Sequence, residues 1–258
     1  MDDAIQLVDI SYSYSKKPFI EHFNLDVAEG QVTSIVGPNG CGKSTLLKIV
    51  DGLITPSTGE VLIEGRPCRS MGSKERARHV ALLPQGSRPP TMTVEGLVSC
   101  GRYPYQNMLG TRSNADDKQA VEAAMAETGV DQFRHQDIRF LSGGERQRVF
   151  IAMILAQDTE IIVMDEPTTY LDMHACHEIM ALVRQLNASS SKTIVMVNHD
   201  IDLALRYSDR IAVMEKGRLL YSGDVDDVLG SGALEEAFQV EICPFPSETR
   251  NAFTIFPR

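Results

Sequence analysis

Nine residues, Gly37-Pro38-Asn39-Gly40-Cys41-Gly42-Lys43-Ser44-Thr45, constrain this chain more than any other feature. They fit the pattern GxxxxGK[ST], directly after an apolar stretch that reads as a buried strand and directly before one with helical character. Glycines are needed there because consecutive backbone N–H groups must turn inward around an anion. The following helix adds unpaired N-terminal donors and the positive end of its dipole. Lys43 supplies a point charge for β- and γ-phosphates, and Ser44 offers a hydroxyl to Mg²⁺. A strand–loop–helix unit of this kind implies an α/β fold of the P-loop NTPase type and a bound nucleoside triphosphate.

The 258 residues suffice for one large α/β domain with an inserted subdomain. The formal charge of −10 argues against a nucleic-acid partner, whose phosphates need neutralising by Lys and Arg. The local basic run Arg66, Arg69, Lys74, Arg76, Arg78, His79 reads as a solvated helix or loop face. Five scattered cysteines without a CxxC pair suit a reducing compartment. The start, MDDAIQLVD, lacks the basic end and apolar run of a signal peptide. No apolar run approaches the length of a membrane span, so a membrane role is expected to come through other subunits.

Along the chain, strands are expected at Ile5–Ile10, Phe23–Ala28, Gln31–Val36 and Glu60–Glu64, with a helix over Lys43–Val50. From about 93 to 157 the composition turns helical, at Lys118–Thr128 and Glu145–Gln157, and Arg102–Asn114 reads as loop. Alternation then resumes with strands at Glu160–Met164, Thr193–Val197, Ile211–Met214 and Arg218–Tyr221 and helices over His177–Asn187 and Ile201–Tyr207. The simplest organisation is one domain over 1–258, with a core of about 1–92 and 158–258 and a helical subdomain of about 93–157.

The apolar run Ile161–Met164 ends in two carboxylates, Asp165 and Glu166. After a P-loop about 120 residues upstream, Asp165 is expected to hold Mg²⁺ through its water shell and Glu166 to polarise a water aimed at the γ-phosphate. His199 closes Thr193–Val197, a strand expected to neighbour that of Asp165, which would bring it near the γ-phosphate. Leu141-Ser142-Gly143-Gly144-Glu145-Arg146-Gln147 then reads as a second anion-binding helix start. One ATP does not need two such sites in one chain. The second makes sense facing a nucleotide held by a partner copy.

At these residues the sequence resembles the ABC ATPase family, whose signature motif the LSGGERQ string matches. The resemblance covers nearly the whole chain and shows no departure at a catalytic position. It implies a P-loop core with an N-terminal antiparallel β region and an inserted helical subdomain. It further implies that Tyr14 stacks on adenine, with Tyr12 as a competitor, and that Gln85 is the Q-loop glutamine, also near Mg²⁺. Leu171-Asp172 would be the D-loop and His199 the switch histidine. Two copies would close on two MgATP, each nucleotide between one P-loop and the other copy's Leu141, Ser142, Gly143, Gly144, Glu145 and Gln147.

Gly101-Arg102-Tyr103-Pro104-Tyr105, then Leu109-Gly110, and Glu166–Asp172 resemble importer ATPases for ferric siderophores, haem and cobalamin. Siderophore iron is the first expectation for cargo, with haem or cobalamin as the alternative. By resemblance, the partners are integral membrane permease subunits and, indirectly, an extracytoplasmic substrate-binding protein. The chain would lie peripherally on the cytoplasmic face of the inner membrane. A soluble ABC ATPase of DNA repair or translation is the reading from another class. The single cassette and acidic balance weigh against it.

Two smaller expectations remain. Cys41, beside a positive pocket, is expected to have a lowered thiol pKa and to be open to alkylation. The apolar residues of the tail (Phe238, Ile242, Phe245, Phe253, Ile255, Phe256) are expected to pack back on the core.

Overall fold

A computed structural model describes residues 3–15, 17–86, 89–106, 115–244 and 253–257. The chain opens with β1 (Asp3–Tyr12), β2 (Ile20–Ala28), β3 (Val32–Val36), α1 (Lys43–Val50), β4 (Thr58–Ile63) and β5 (Arg66–Pro67). Next come α2 (Ser73–Arg76), β6 (Val80–Leu83), α3 (Val94–Ser99), α4 (Ala115–Thr128), α5 (Gly143–Ala156), β7 (Ile161–Asp165) and α6 (Met173–Ser190). The chain closes with β8 (Thr193–Val197), α7 (Ile201–Tyr207), β9 (Arg210–Glu215), β10 (Arg218–Asp224), α8 (Val225–Ser231), α9 (Ala233–Phe238), β11 (Val240–Pro244) and β12 (Phe253–Pro257). These form two compact units, residues 1–70 with 193–258, and residues 71–192.

In the first unit, β2, β1, β4 and β5 form an antiparallel sheet in that order. Strict alternation along β1 buries Ile5 and Leu7 and would bury Asp9 next. A register shift between Leu7 and Ile10 prevents this, and Ile10 goes inside. Asp9 absorbs the shift with a left-handed backbone (φ 51°), and its N–H is satisfied by Asn24 Oδ1 at 2.8 Å.

The same unit holds a parallel core in which β3 lies between β8 and β9, with β10 antiparallel beyond β9. All five residues of β3 are buried, as expected for a strand covered on both faces. Of the tail's apolar residues, Phe238, Ile242 and Ile255 pack back on the core as expected, whereas Phe256 is 48% exposed. Leu234 and Ile242 join Val36, Ile211 and Val213 in one cluster, and β11 pairs with β12 through Ile242 and Ile255. Phe245 lies outside the described residues.

In the second unit, β6 and β7 pair in parallel, Val80 with Ile161 and Leu83 with Met164. α3, α4 and α5 pack on one another. α5 starts two residues before the sequence expectation because Ser142 caps it. Glu145 N–H donates to Ser142 Oγ (3.3 Å) while Glu145 Oε2 accepts from Ser142 N–H (2.8 Å), a reciprocal capping box. α6 is longer at both ends than the expected His177–Asn187. Its N-terminus is set by Asp172, which accepts from Ala175 N–H at 2.8 Å.

Two sequence expectations are corrected here. The first part of the supposed loop Arg102–Asn114 belongs to a 3₁₀ helix over Cys100–Tyr105. Arg102 is buried there, donating to Asp117 Oδ1 at 2.9 Å and to the Ala156 carbonyl at 2.8 Å, with Tyr105 against its guanidinium. The remainder, with Leu109-Gly110, lies outside the described residues. Nor is the basic run merely a solvated face. Lys74 donates to Gln106 O (2.8 Å) beside the Tyr103 ring, and Arg78 to Pro104 O (3.0 Å) beside Tyr105, so both clasp this helix. In the first unit, Arg69 pairs with Glu60 at 2.7 Å.

Candidate functional site

In the first unit, the loop from Gly37 to Gly42 joins β3 to α1. A Cβ at Gly37 would lie 2.1 Å from the Met214 carbonyl of β9, so the strand can reach the turn only without a side chain there. Gly42, the residue before α1, has φ 112°, a conformation L side chains rarely adopt. α1 thus begins at Lys43, and Ser44 and Thr45 stand in its first turn. Lys43 is buried, and its Nζ donates to Gly37 O (2.6 Å) and Pro38 O (3.0 Å). The ammonium is folded onto the loop that a phosphate would occupy.

Tyr14 stands 61% exposed, and its hydroxyl shares a hydrogen bond with Thr45 Oγ1 at 2.9 Å. This ties an exposed aromatic face to the first turn of α1. Tyr12 instead pairs with Ile20 inside the sheet and meets Tyr14 edge-on. His199 follows β8, the direct neighbour of β3, and its side chain is exposed.

Cys41 departs from expectation. Its side chain is buried, and that burial pushes the thiol above its ordinary pKa, with the Lys43 ammonium opposing only in part. Raising an acid's pKa depletes its reactive thiolate at neutral pH. Alkylation of Cys41 at pH 7 is therefore expected to lag behind that of exposed Cys100 and to accelerate as pH rises. Peptide mapping after timed labelling tests this, and Cys41 labelling first at pH 7 would contradict it.

In the second unit, Asp165 ends β7 and Glu166 follows, both buried. Glu166 has a left-handed backbone (φ 54°), an uncommon state for a side-chain-bearing residue. Its Oε2 accepts from Gln85 Nε2 at 2.5 Å and from Thr169 Oγ1 at 2.9 Å. The carboxylate is thus gripped from two sides by residues 81 and three positions away. Sequence reasoning missed Thr169. The only local signal was a hydroxyl one helical turn after a carboxylate.

Ser142 caps α5, and Gly143, Gly144 and Glu145 form its first turn with Gln147 in the next. Gly143 packs against Leu171, whose Cδ2 would be 3.2 Å from an added Cβ, and Gly144 against Ala175. Gly143, Gln147, Glu166, Thr169 and Leu171 line one cleft of about 120 Å³. The second unit therefore gathers Gln85, Glu166, the LSGGE helix start and Leu171, while Gly37–Thr45, Tyr14 and His199 belong to the first. Leu141 is buried beneath the cap, and Asp172 is spent on capping α6.

Comparison with known proteins places the chain in a family. Residues 20–169 match the family model described as ABC transporter. The petrobactin import ATP-binding protein FpuD of Bacillus anthracis is 42% identical over 93% of this chain and 88% of its own length. The iron(3+)-hydroxamate import ATP-binding protein FhuC of Bacillus subtilis is 38% identical over 93% of this chain and 89% of its own. Among solved structures, a dimeric bacterial ABC transporter cassette (MJ0796) superposes with a TM-score of 0.74 at 29% identity, covering 86% of this chain and 98% of that one.

Proposed function

This chain belongs to the ABC transporter family, and we propose that it is the ATP-hydrolysing subunit of an importer that takes up iron–siderophore complexes through partner membrane subunits. The observation that carries the cargo class is the near full-length likeness to FpuD and FhuC. The chemistry rests on the P-loop and on the doubly held Glu166.

ATP lies with its adenine against Tyr14 and its phosphates in the loop formed by Gly37, Pro38, Asn39, Gly40, Cys41 and Gly42, next to Ser44 and Thr45. Lys43 leaves the carbonyls of Gly37 and Pro38, which hold it at 2.6 and 3.0 Å, for the β- and γ-phosphate oxygens. Ser44, Gln85 and Asp165 offer a hydroxyl, an amide oxygen and a buried carboxylate, the hard oxygen donors that Mg²⁺ favours. Held by these residues, Mg²⁺ would supply charge neutralisation at the phosphates. Glu166 polarises the attacking water, and Gln85 and Thr169 fix the direction of its carboxylate. His199 and Lys43 stabilise the transferring phosphoryl group.

A second copy closes the site with its Leu141, Ser142, Gly143, Gly144, Glu145 and Gln147, and Leu171-Asp172 follows the catalytic segment at that interface. Support for pairing comes from the dimeric cassette of the same fold. The helical region of about 93–157 docks on the permease, and the core of about 1–92 and 158–258 holds nucleotide. Among the described residues no helix is long and apolar enough to cross a membrane. In this reading the chain acts as a peripheral subunit on the cytoplasmic face of the inner membrane, as its import relatives suggest, and an extracytoplasmic substrate-binding protein delivers cargo.

The test is uptake of radiolabelled iron, given as ferric siderophore, in cells carrying either this chain or its Glu166→Gln form. Haem and cobalamin uptake run in parallel. Loss of siderophore iron uptake alone is the expected result. Loss confined to haem or cobalamin would move the cargo assignment, and no loss in any arm would overturn the importer reading.

A further inference from the structure

The residue before His199 is a buried amide. Asn198 is 1% exposed, one step beyond the last β8 residue paired with β3. Its backbone N–H extends that ladder by donating to Ile35 O at 3.2 Å. Its side-chain Nδ2 donates to Ser34 Oγ at 2.8 Å, and Ser34 Oγ shares a 2.6 Å hydrogen bond with Ser208 Oγ just past α7. The chain of hydroxyls and amide therefore links the end of β8 and the end of α7 to the middle of β3, 164 and 174 positions away.

On the other side of His199, Asp200 caps α7 by accepting from Asp202 N–H (2.8 Å) and Leu203 N–H (3.2 Å). His199 is thus held between a buried anchor and a helix cap, with its own side chain exposed. β3, to which Asn198 is anchored, runs directly into the phosphate loop at Gly37. One observation argues that Asn198 is not there for stability alone. Among the described residues its Oδ1 is buried without a hydrogen-bond partner, and such a group disfavours the folded state, whereas an apolar side chain of similar size would carry no orphan.

We propose that Asn198 is a positioning residue that sets His199 relative to the phosphate loop through its hydrogen bond to Ser34. The proposal rests on the reading that His199 acts on the γ-phosphate. Replacing Asn198 by Leu removes the orphan carbonyl and leaves the Ser34–Ser208 bond in place. The backbone around His199 then loses its side-chain tether while its packing is retained. Displacements of about an ångström at a reacting centre lower rates by up to about 100-fold.

The experiment measures phosphate release and thermal unfolding on the full chain as wild type, Asn198→Leu, Ser34→Ala, His199→Ala and the Asn198→Leu/His199→Ala double variant. Asn198→Leu is expected to lower kcat by about 10- to 100-fold at unchanged KM for ATP, with a Tm equal to or above wild type. Ser34→Ala is expected to shift kcat in the same direction, and the double variant to be no slower than His199→Ala alone. An unchanged kcat in Asn198→Leu overturns the proposal, as does a loss that tracks a falling Tm, or a further loss in the His199→Ala background. A His199→Ala variant turning over at the wild-type rate instead removes the reading of His199 itself, and the proposal with it.

Discussion

Replacing Glu166 by Gln is expected to slow phosphate release by about 10²- to 10⁴-fold while leaving ATP binding nearly unchanged. The substitution keeps the shape of the side chain and an oxygen able to accept from Gln85 and Thr169. What it removes is the negative charge that, in the proposed mechanism, draws a proton from the attacking water. Single-turnover phosphate release and equilibrium binding of labelled ATP separate the two effects. A variant that hydrolyses ATP at the wild-type rate would remove Glu166 from the mechanism. One that no longer binds ATP would show that the carboxylate holds the site together rather than acting on water.

Replacing Arg102 by Met is expected to destabilise the protein by about 3–5 kcal/mol, because the Asp117 carboxylate stays buried without its guanidinium. The Ala156 carbonyl loses its donor as well, and Tyr105 the cation it lies against. For a chain of this size the loss corresponds to a fall in Tm of roughly 10 °C. The double variant Arg102→Met with Asp117→Leu is expected to recover most of that loss, since removing both members of a buried pair is often near neutral. Thermal unfolding followed by circular dichroism measures both. If the single variant melts within about 2 °C of wild type, the pair carries little of the stability, and the water left around it screens the charge. The helix Cys100–Tyr105 would then be held mainly by Lys74 and Arg78, which donate to the Gln106 and Pro104 carbonyls.

These two sites show where sequence reading reaches and where it stops. The strand, turn and helix around Lys43 were legible because their determinants are contiguous. The helix limits Lys43–Val50 and Ile201–Tyr207 and the strand Thr193–Val197 match the expected ones residue for residue. The start of α5 was nearly so, since Ser142 and Glu145 signal a capping box within four residues. By contrast, Arg102–Tyr105 read as loop because it opens the stretch Arg102–Asn114, whose Tyr, Pro, Gly and Asn content is that of a turn. Its order depends on Asp117, Ala156, Lys74 and Arg78, partners that no local pattern reveals. Cys41 failed for a related reason. Its neighbour Lys43 is visible in sequence, but the burial that outweighs that charge is not.

The sequence by itself determined the family, the phosphate loop, the strands and helices that flank its motifs, and the identity of the charged groups available for chemistry. It could do so because backbone periodicity, glycine turns and helix caps act over a few residues. Only the tertiary structure decided which groups are buried and which ones hold each other: Gln85 and Thr169 on Glu166, Tyr14 on Thr45, Asn198 on Ser34. Most of those contacts join residues tens to hundreds of positions apart. The free energy of a buried hydrogen bond or charge depends on the water excluded around it, which is a property of packing rather than of spacing along the chain.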